Sequence, residues 1–275
     1  MVTTTEILPC PQLQTYIRCY TLREFDTMGA DFLKPLPANH ELTLAFTLRG
    51  SLYTYNTFYK NIKPTSRIHI IGLQTSSKGI VIFNGDVKFF SIQFRPNGFY
   101  KLFGIPSHII TDNIYEASDI ICNGMATYNE QLNEAINLSE MKKITDKFLL
   151  SYLVNCKTFD PYHSITSTSS LIFGNHGNVN IKSLAYQANM SLKRFEVKFT
   201  EQVGIPPKLY ARITRFNYAL LMKVQNISKN WTDICHRSGY YDQMHFIKEF
   251  KEFAGDSPGN FYKTTPLPYE DYRKQ

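Results

Sequence analysis

The chain has 275 residues, 43% of them hydrophobic, and carries 30 Lys and Arg against 23 Asp and Glu, a formal net charge of +7. That apolar content excludes a disordered chain, and the length admits one large domain or two ordinary ones. Residues 1–170 hold 15 basic and 14 acidic side chains, whereas residues 171–275 hold 15 and 9, so only the C-terminal part suits an acidic partner such as nucleic acid or an anionic membrane surface.

From the N-terminus, no basic segment leads into an apolar one, and no run reaches the ~18 apolar residues of a membrane span. Five cysteines, Cys10, Cys19, Cys122, Cys156 and Cys235, are odd in number and irregularly spaced. Together these predict a cytoplasmic, reduced protein with no structural metal and no membrane partner. Leu42 to Leu48 alternates with period two and is expected to stop at Arg49-Gly50. Ile68–Gly72 and Gly79–Phe83 are β-branched and aromatic, and Asn84-Gly85 predicts a hairpin turn into a further strand, Val87 to Phe94. In that strand Phe90, Ile92 and Phe94 share one face and Ser91, Gln93 and Arg95 the other. Short strands between turn residues predict a sandwich or small barrel.

Beyond Pro96-Asn97-Gly98 the apolar spacing becomes helical, with Leu132, Ile136, Met141, Ile144, Phe148 and Tyr152 along one or two amphipathic helices. Their stripe serves either packing on the sheet or a dimer interface, with Leu149 a test position. The run 156–170, rich in Ser and Thr, reads as a linker. Residues 171–265 then read as short helices, and 266–275 as a tail.

Asn189-Met190-Ser191 forms a tight joint between helices, because Asn tolerates a left-handed backbone and Ser191 accepts hydrogen bonds from the first free amides. The helix that follows buries Phe195, Phe199 and Val203. The design recurs downstream: Phe195, Phe199, Gly204, Pro207 and Tyr210 are matched by Phe246, Phe250, Gly255, Pro258 and Phe261, each 51 residues later. This is an internal duplication of a helix–turn–helix unit, about 181–204 and 231–255, joined by one helix from Pro207.

A helix that enters the major groove buries one stripe and projects long polar side chains from the other. In the first unit Lys193, Glu196, Val197 and Thr200 meet this need, and in the second Gln243, Met244, His245 and Lys248. Ser191, Arg194, Lys198, Arg212, Arg215 and Lys251 lie off the buried stripe and suit phosphates.

The runs LAYQANMSLKRFEVKFTEQVGIPPKLYARITRF and WTDICHRSGYYDQMHFIKEFKEFAGDSPGNFY resemble the paired helix–turn–helix subdomains of AraC/XylS-type transcription regulators. The resemblance implies recognition helices, about 191–203 and 242–254, in successive major grooves. By that alignment Lys193, Glu196, Val197, Thr200, Met244, His245 and Lys248 read bases. Cys235, Met244 and Tyr262 depart from the family's usual residues. The segment Phe89 to Pro106 resembles the end of the family's β-rich, cupin-like sensor domain, which implies a small-molecule effector or dimerisation for residues 1–155, with His40, Glu41, His69 and Arg95 as pocket candidates. The implied partners are double-stranded promoter DNA, an effector, a second copy of the chain and, for an activator, RNA polymerase. No cofactor is implied.

The expected class is therefore α+β: an N-terminal β-barrel or sandwich with helices, residues 1–155, and an all-α C-terminal domain. A cupin-type enzyme is the rival reading, although His40, His69 and His108 stand alone in sequence and do not form a His-x-His pair. A protein-interaction module is the other.

Overall fold

The period-two segments assemble into one antiparallel sheet of eight strands in a computed structural model that describes residues 3–56, 61–121, 124–154, 164–226 and 228–264. The strands are β1 (Thr3–Ile7), β2 (Ile17–Asp26), β3 (Phe32–Leu36), β4 (Thr43–Asn56), β5 (Asn61–Pro64), β6 (Ile68–Ile71), β7 (Gly79–Phe94) and β8 (Ile114–Glu116). They follow the order β1-β2-β7-β4-β6-β8, with β3 added on β7 and β5 on β4.

Two expectations about turns are corrected here. Strand β4 does not stop at Arg49-Gly50, and Asn84-Gly85 is not a hairpin, because β4 and β7 run through these positions while paired with each other. The register shifts between Thr47 and Arg49 and again between Arg49 and Ser51. Gly50 has φ +79° and Gly85 φ +88°, and a Cβ on Gly50 would meet Val87 at 3.0 Å and the Asn84 and Asp86 carbonyls at 3.1 Å. The two glycines make a corner at which the sheet folds over, leaving both strands unbroken. Phe90, Ile92 and Phe94 face the main core on one side of the sheet, and Phe25, Leu52, Val81, Phe83 and Phe89 fill a second cluster in the fold of the corner.

Short helices α1 (Gly98–Phe103) and α2 (Ala117–Ile120) precede α3 (Met125–Glu134) and α4 (Leu138–Val154). The helical stripe packs inside its own domain. Leu132, Met141 and Leu149 are fully buried, Tyr20 donates a 2.8 Å hydrogen bond to Asp146, and Tyr128 stacks on Phe148 at 4.2 Å. That stripe is therefore not available to a second copy of the chain. Ile136 lies between the two helices and is exposed.

The expected linker is shorter than its composition suggests. Residues 156–163 lie outside the described residues, as do Cys122, Cys156 and the 266–275 tail, but from Ser164 the run is helical: α5 (Ser164–Gly174). Its hydroxyls return to backbone carbonyls, Thr168 to Ser164 at 2.7 Å and Ser169 to Thr166 at 3.1 Å, which lets small polar residues be buried beside Ile165 and Ile172.

The remaining helices are α6 (Ile181–Gln187), α7 (Leu192–Val203), α8 (Pro207–Gln225), α9 (Trp231–Arg237), α10 (Gln243–Ala254) and α11 (Pro258–Thr264). Repetition extends to their ends. Asn180 and Asn230 cap α6 and α9, accepting from Ser183 N and Asp233 N, while Ser191 and Asp242 cap α7 and α10, accepting from Arg194 N and His245 N. Gly204 and Gly255 close α7 and α10 with φ +112° and +83°, and prolines open α8 and α11. Phe195, Phe199, Phe246, Phe250 and Phe253 are each at most 1% exposed, which at about 2–3 kcal/mol per side chain makes them the main cohesive force of the two units. At the end of α8 the Lys223 ammonium lies 5.4 Å from the Trp231 ring and 5.2 Å from that of Tyr262, and donates to the Lys229 carbonyl.

Candidate nucleic-acid interface and effector cavity

The caps and buried stripes determine which side chains α7 and α10 present outward. On α7, Lys193, Arg194, Glu196 and Val197 are exposed, Val197 to 58%. Thr200 is half-buried and its hydroxyl is donated to the Glu196 carbonyl at 2.8 Å, so it presents its methyl more readily than its oxygen. Lys198 pairs with Glu201 at 2.7 Å. On α10, Met244 is 82% exposed, and Lys248 and Lys251 also face out. Gln243 reaches back to donate to the Thr232 hydroxyl, and His245 Nε2 lies 3.4 Å from Glu249 Oε1.

Two basic residues expected at phosphates are turned inward. Arg212 Nε donates to Glu249 at 2.6 Å and its Nη2 to Glu252 at 2.6 Å, with the guanidinium 5.0 Å from the Phe253 ring centre. Arg215 donates to the other Glu249 oxygen at 3.3 Å and lies 4.6 Å from the Tyr240 ring centre. Both arginines thus bind α8 to α10. Burial drives the Glu249 carboxyl upward in pKa, but the hydrogen bond from Arg212 and the charges of Arg215, Arg212 and His245 outweigh it and leave it below the ordinary value. Sequence reasoning missed Glu249, whose arginine partners lie 34 and 37 residues away.

Each unit is fastened to the sheet domain at the C-terminal end of its recognition helix. For α7, Asn97 donates to the Gln202 side chain at 3.0 Å, Ser107 to the Gln202 carbonyl at 2.8 Å and Thr111 to the Gly204 carbonyl at 2.9 Å. For α10, Ala38 N donates to the Phe253 carbonyl at 2.8 Å, and Asn217 of α8 donates to the Ala38 carbonyl at 3.2 Å.

The sheet encloses a cavity of about 130 Å³. On one wall, Thr21 donates to Gln93 Oε1 at 3.0 Å and Gln93 Nε2 to Ser91 Oγ at 2.8 Å. On another, Arg18 forks onto Glu41 at 2.5 and 3.1 Å. His40, Glu41 and His69 all line this space. Arg95 does not: its Nε donates to the Gln14 carbonyl at 2.6 Å, and it lines two other cavities at the domain junction beside Phe173. Burial pushes both His40 and His69 down to about 4, His69 despite its 3.0 Å hydrogen bond to the Ser66 carbonyl. Both are therefore neutral near pH 7. Among the described residues no three His, Cys, Asp or Glu side chains stand close enough together to hold a metal ion, and no helix is long and apolar enough to cross a membrane.

Residues 184–264 match the family described as a helix–turn–helix domain, and residues 5–116 match a domain of unknown function, DUF6597. A comparison with curated proteins gives no match. Among solved structures, the chain is similar to ToxT from Vibrio cholerae O395 at 12% identity and a TM-score of 0.46, over 92% of this chain and 100% of that one. It is also similar to an unsaturated fatty acid bound ToxT from Vibrio cholerae strain SCE256, at 9% identity and 0.48, over 90% and 95%. The C-terminal domain of AraT, a response regulator from Geobacillus stearothermophilus, is 19% identical with a TM-score of 0.34, over 39% of this chain and 89% of that one. With two capped helix–turn–helix units, α6–α7 and α9–α10, held by one linking helix behind an antiparallel sheet domain, the chain is a DNA-binding transcription regulator whose residues 184–264 form an AraC-type helix–turn–helix domain.

Proposed function

We propose that α7 and α10 enter successive major grooves on one face of a promoter. Lys193, Glu196 and Val197 then read one half-site, with the Thr200 methyl at its margin, and Met244, His245 and Lys248 read the other, with Gln243 at the helix start. Arg194, Lys251, Ser191 and Lys198 contact phosphates, which set register without specifying sequence. Arg212 and Arg215 are left out of that set, because Glu249 and Glu252 already hold them. The observation that carries this reading is the matched pair of outward faces on two helices capped and closed alike, 51 residues apart.

The sheet cavity beside His40, Glu41 and His69 is assigned to a small effector, with Arg95 at the junction rather than in contact with it. Occupancy changes how the two units are presented to DNA, which requires the effector to prefer one arrangement over the other.

The test is selection from random duplexes with the full chain, read at two salt concentrations, with Lys193→Ala and Lys248→Ala in parallel. The expected result is a bipartite site with halves about one helical turn, ~10 bp, apart. Each mutant then relaxes a different half and loses about tenfold in affinity, as removal of one base contact does. No enrichment, or identical effects of both mutants, overturns the reading.

A further inference from the structure

His40 is 4% exposed, and neither ring nitrogen meets a hydrogen-bond partner among the described residues. It lines both the sheet cavity and the adjoining junction cavity. A neutral imidazole offers one N–H donor and one acceptor nitrogen, and leaving both dry is costly unless something fills the space. The side chain is also the boundary between the domains: its ring lies 5.4 Å from Phe173 of α5 and 6.0 Å from Tyr210 of α8.

The backbone around it is tied on both sides. Asn39 is bridged to Gln74, with hydrogen bonds of 2.8 and 3.0 Å in the two directions, and Glu41 holds Arg18. Just before them Ala38 turns outward, giving its N–H to Phe253 at the end of α10 and its carbonyl to Asn217. Within five residues, Pro37, Asn39, His40 and Glu41 touch the cavity while Ala38 touches the second recognition unit.

We propose that the cavity takes an uncharged molecule about the size of a six-membered ring, bearing a hydroxyl or amide that both donates to and accepts from His40. Its binding is transmitted along Pro37–Glu41 to α10 and so alters the second half-site first. This rests on the reading of the cavity as an effector site. Size follows from the volume, since an engineered cavity of about 150 Å³ accommodates benzene. Absence of charge follows from the lining: both histidines are neutral, Arg18 is matched by Glu41 with Glu6 also acting on it, and Arg23 and Lys34, which line the same space, have interactions of their own, so a charged ligand would be desolvated without a spare counter-charge.

The experiment uses the full chain and three probes: cyclohexanol, cyclohexanecarboxylate and decanoate. Titration calorimetry is expected to show binding of cyclohexanol in preference to either carboxylate, at least tenfold weaker in His40→Leu and retained in His40→Gln, which keeps a donor and an acceptor. With the selected bipartite duplex, cyclohexanol should change wild-type affinity at least threefold. Asn217→Ala, which lies outside the cavity, should still bind cyclohexanol but lose that response.

Absence of cyclohexanol binding, preference for a carboxylate, or equal binding by His40→Leu overturns the ligand assignment. His40-dependent binding that leaves DNA affinity unchanged overturns the transmission. Failure of the unliganded wild type to bind any duplex is a separate result: it overturns the DNA reading and with it the transmission, while the calorimetry still decides the ligand class. Should His40→Leu not fold, Thr65→Val replaces it. The Thr65 hydroxyl is also buried without a partner beside the cavity, and unchanged cyclohexanol binding on its removal overturns the site.

Discussion

The two helix–turn–helix units share caps, closing glycines and an aromatic stripe, yet they are held in different ways. The α7 unit is gripped by side chains of the sheet domain, Asn97, Tyr100, Ser107 and Thr111, and carries a surface ion pair, Lys198–Glu201. The α10 unit meets the sheet domain through the backbone of Ala38 and is braced from within by a carboxylate between two arginines. Duplication has preserved the scaffold and left the attachments free to diverge. The first unit's position thus depends on the neighbouring domain, and the second unit's on its own electrostatics.

The comparison can be broken most forcefully at the shared stripe. Phe199→Ala and Phe250→Ala each remove a fully buried ring and are expected to cost about 3–5 kcal/mol in thermal or denaturant unfolding followed by circular dichroism. Similar losses in both would show that the scaffold term is common to the two units, and unequal losses would locate the stability in one.

Next in size is Glu249→Gln, which leaves Arg212 and Arg215 short of their counter-charge and should cost about 2 kcal/mol, since both arginines keep some contact with solvent. Its pH dependence is specific. The Glu249 carboxyl is held below the ordinary value, so its stabilisation is complete above the unfolded-state glutamate range, about 4.3, and is lost as pH falls through the lower native value. Calorimetric melting between neutral and acidic pH should show this fall for the wild type and a flatter profile for the variant.

A smaller difference separates the arginines on DNA. Arg194→Ala should lower the slope of log affinity against log salt by about 1, whereas Arg212→Ala should leave that slope unchanged and lower the melting midpoint. A reduced slope for Arg212→Ala would restore it to the phosphate set. The smallest effects belong to the caps: Ser191→Ala and Asp242→Ala should each cost about 1 kcal/mol, measured by the same melts, and should be equal if the joints are equivalent.

What was legible in the sequence was whatever rests on neighbours along the chain. Asn189 with φ +53°, Ser191 over the first turn of α7, and the i, i+4 aromatic rings follow from steric and hydrogen-bonding rules that act over four or five residues. The bend at Gly50 and Gly85 was misread because an Asn-Gly pair satisfies a hairpin and a corner equally well, and the partner strand decides between them. Strand β2 escaped notice for another reason: Cys19, Tyr20, Thr21 and Leu22 are buried in succession, so its two faces show no alternation. The Ser- and Thr-rich stretch from Ser164 looked like a linker because side-chain bonds to the i−3 and i−4 carbonyls leave no mark on composition. At the interface, the outward residues of α7 and α10 could be named from their spacing, but the inward turn of Arg212 and Arg215 depends on Glu249, which only the packing of α8 on α10 brings near.

The packing at the end of α8 carries a practical consequence. Trp231 is the single tryptophan of the chain, and it sits among Phe246, Phe250 and Tyr262 with ring centres 5.4–6.0 Å away, beside the Lys223 ammonium. Its fluorescence therefore reports on the second unit alone. The protein carries an optical probe in one of two otherwise similar halves, so loosening of the α10 unit can be watched in the intact chain without a label, while the α7 unit stays silent.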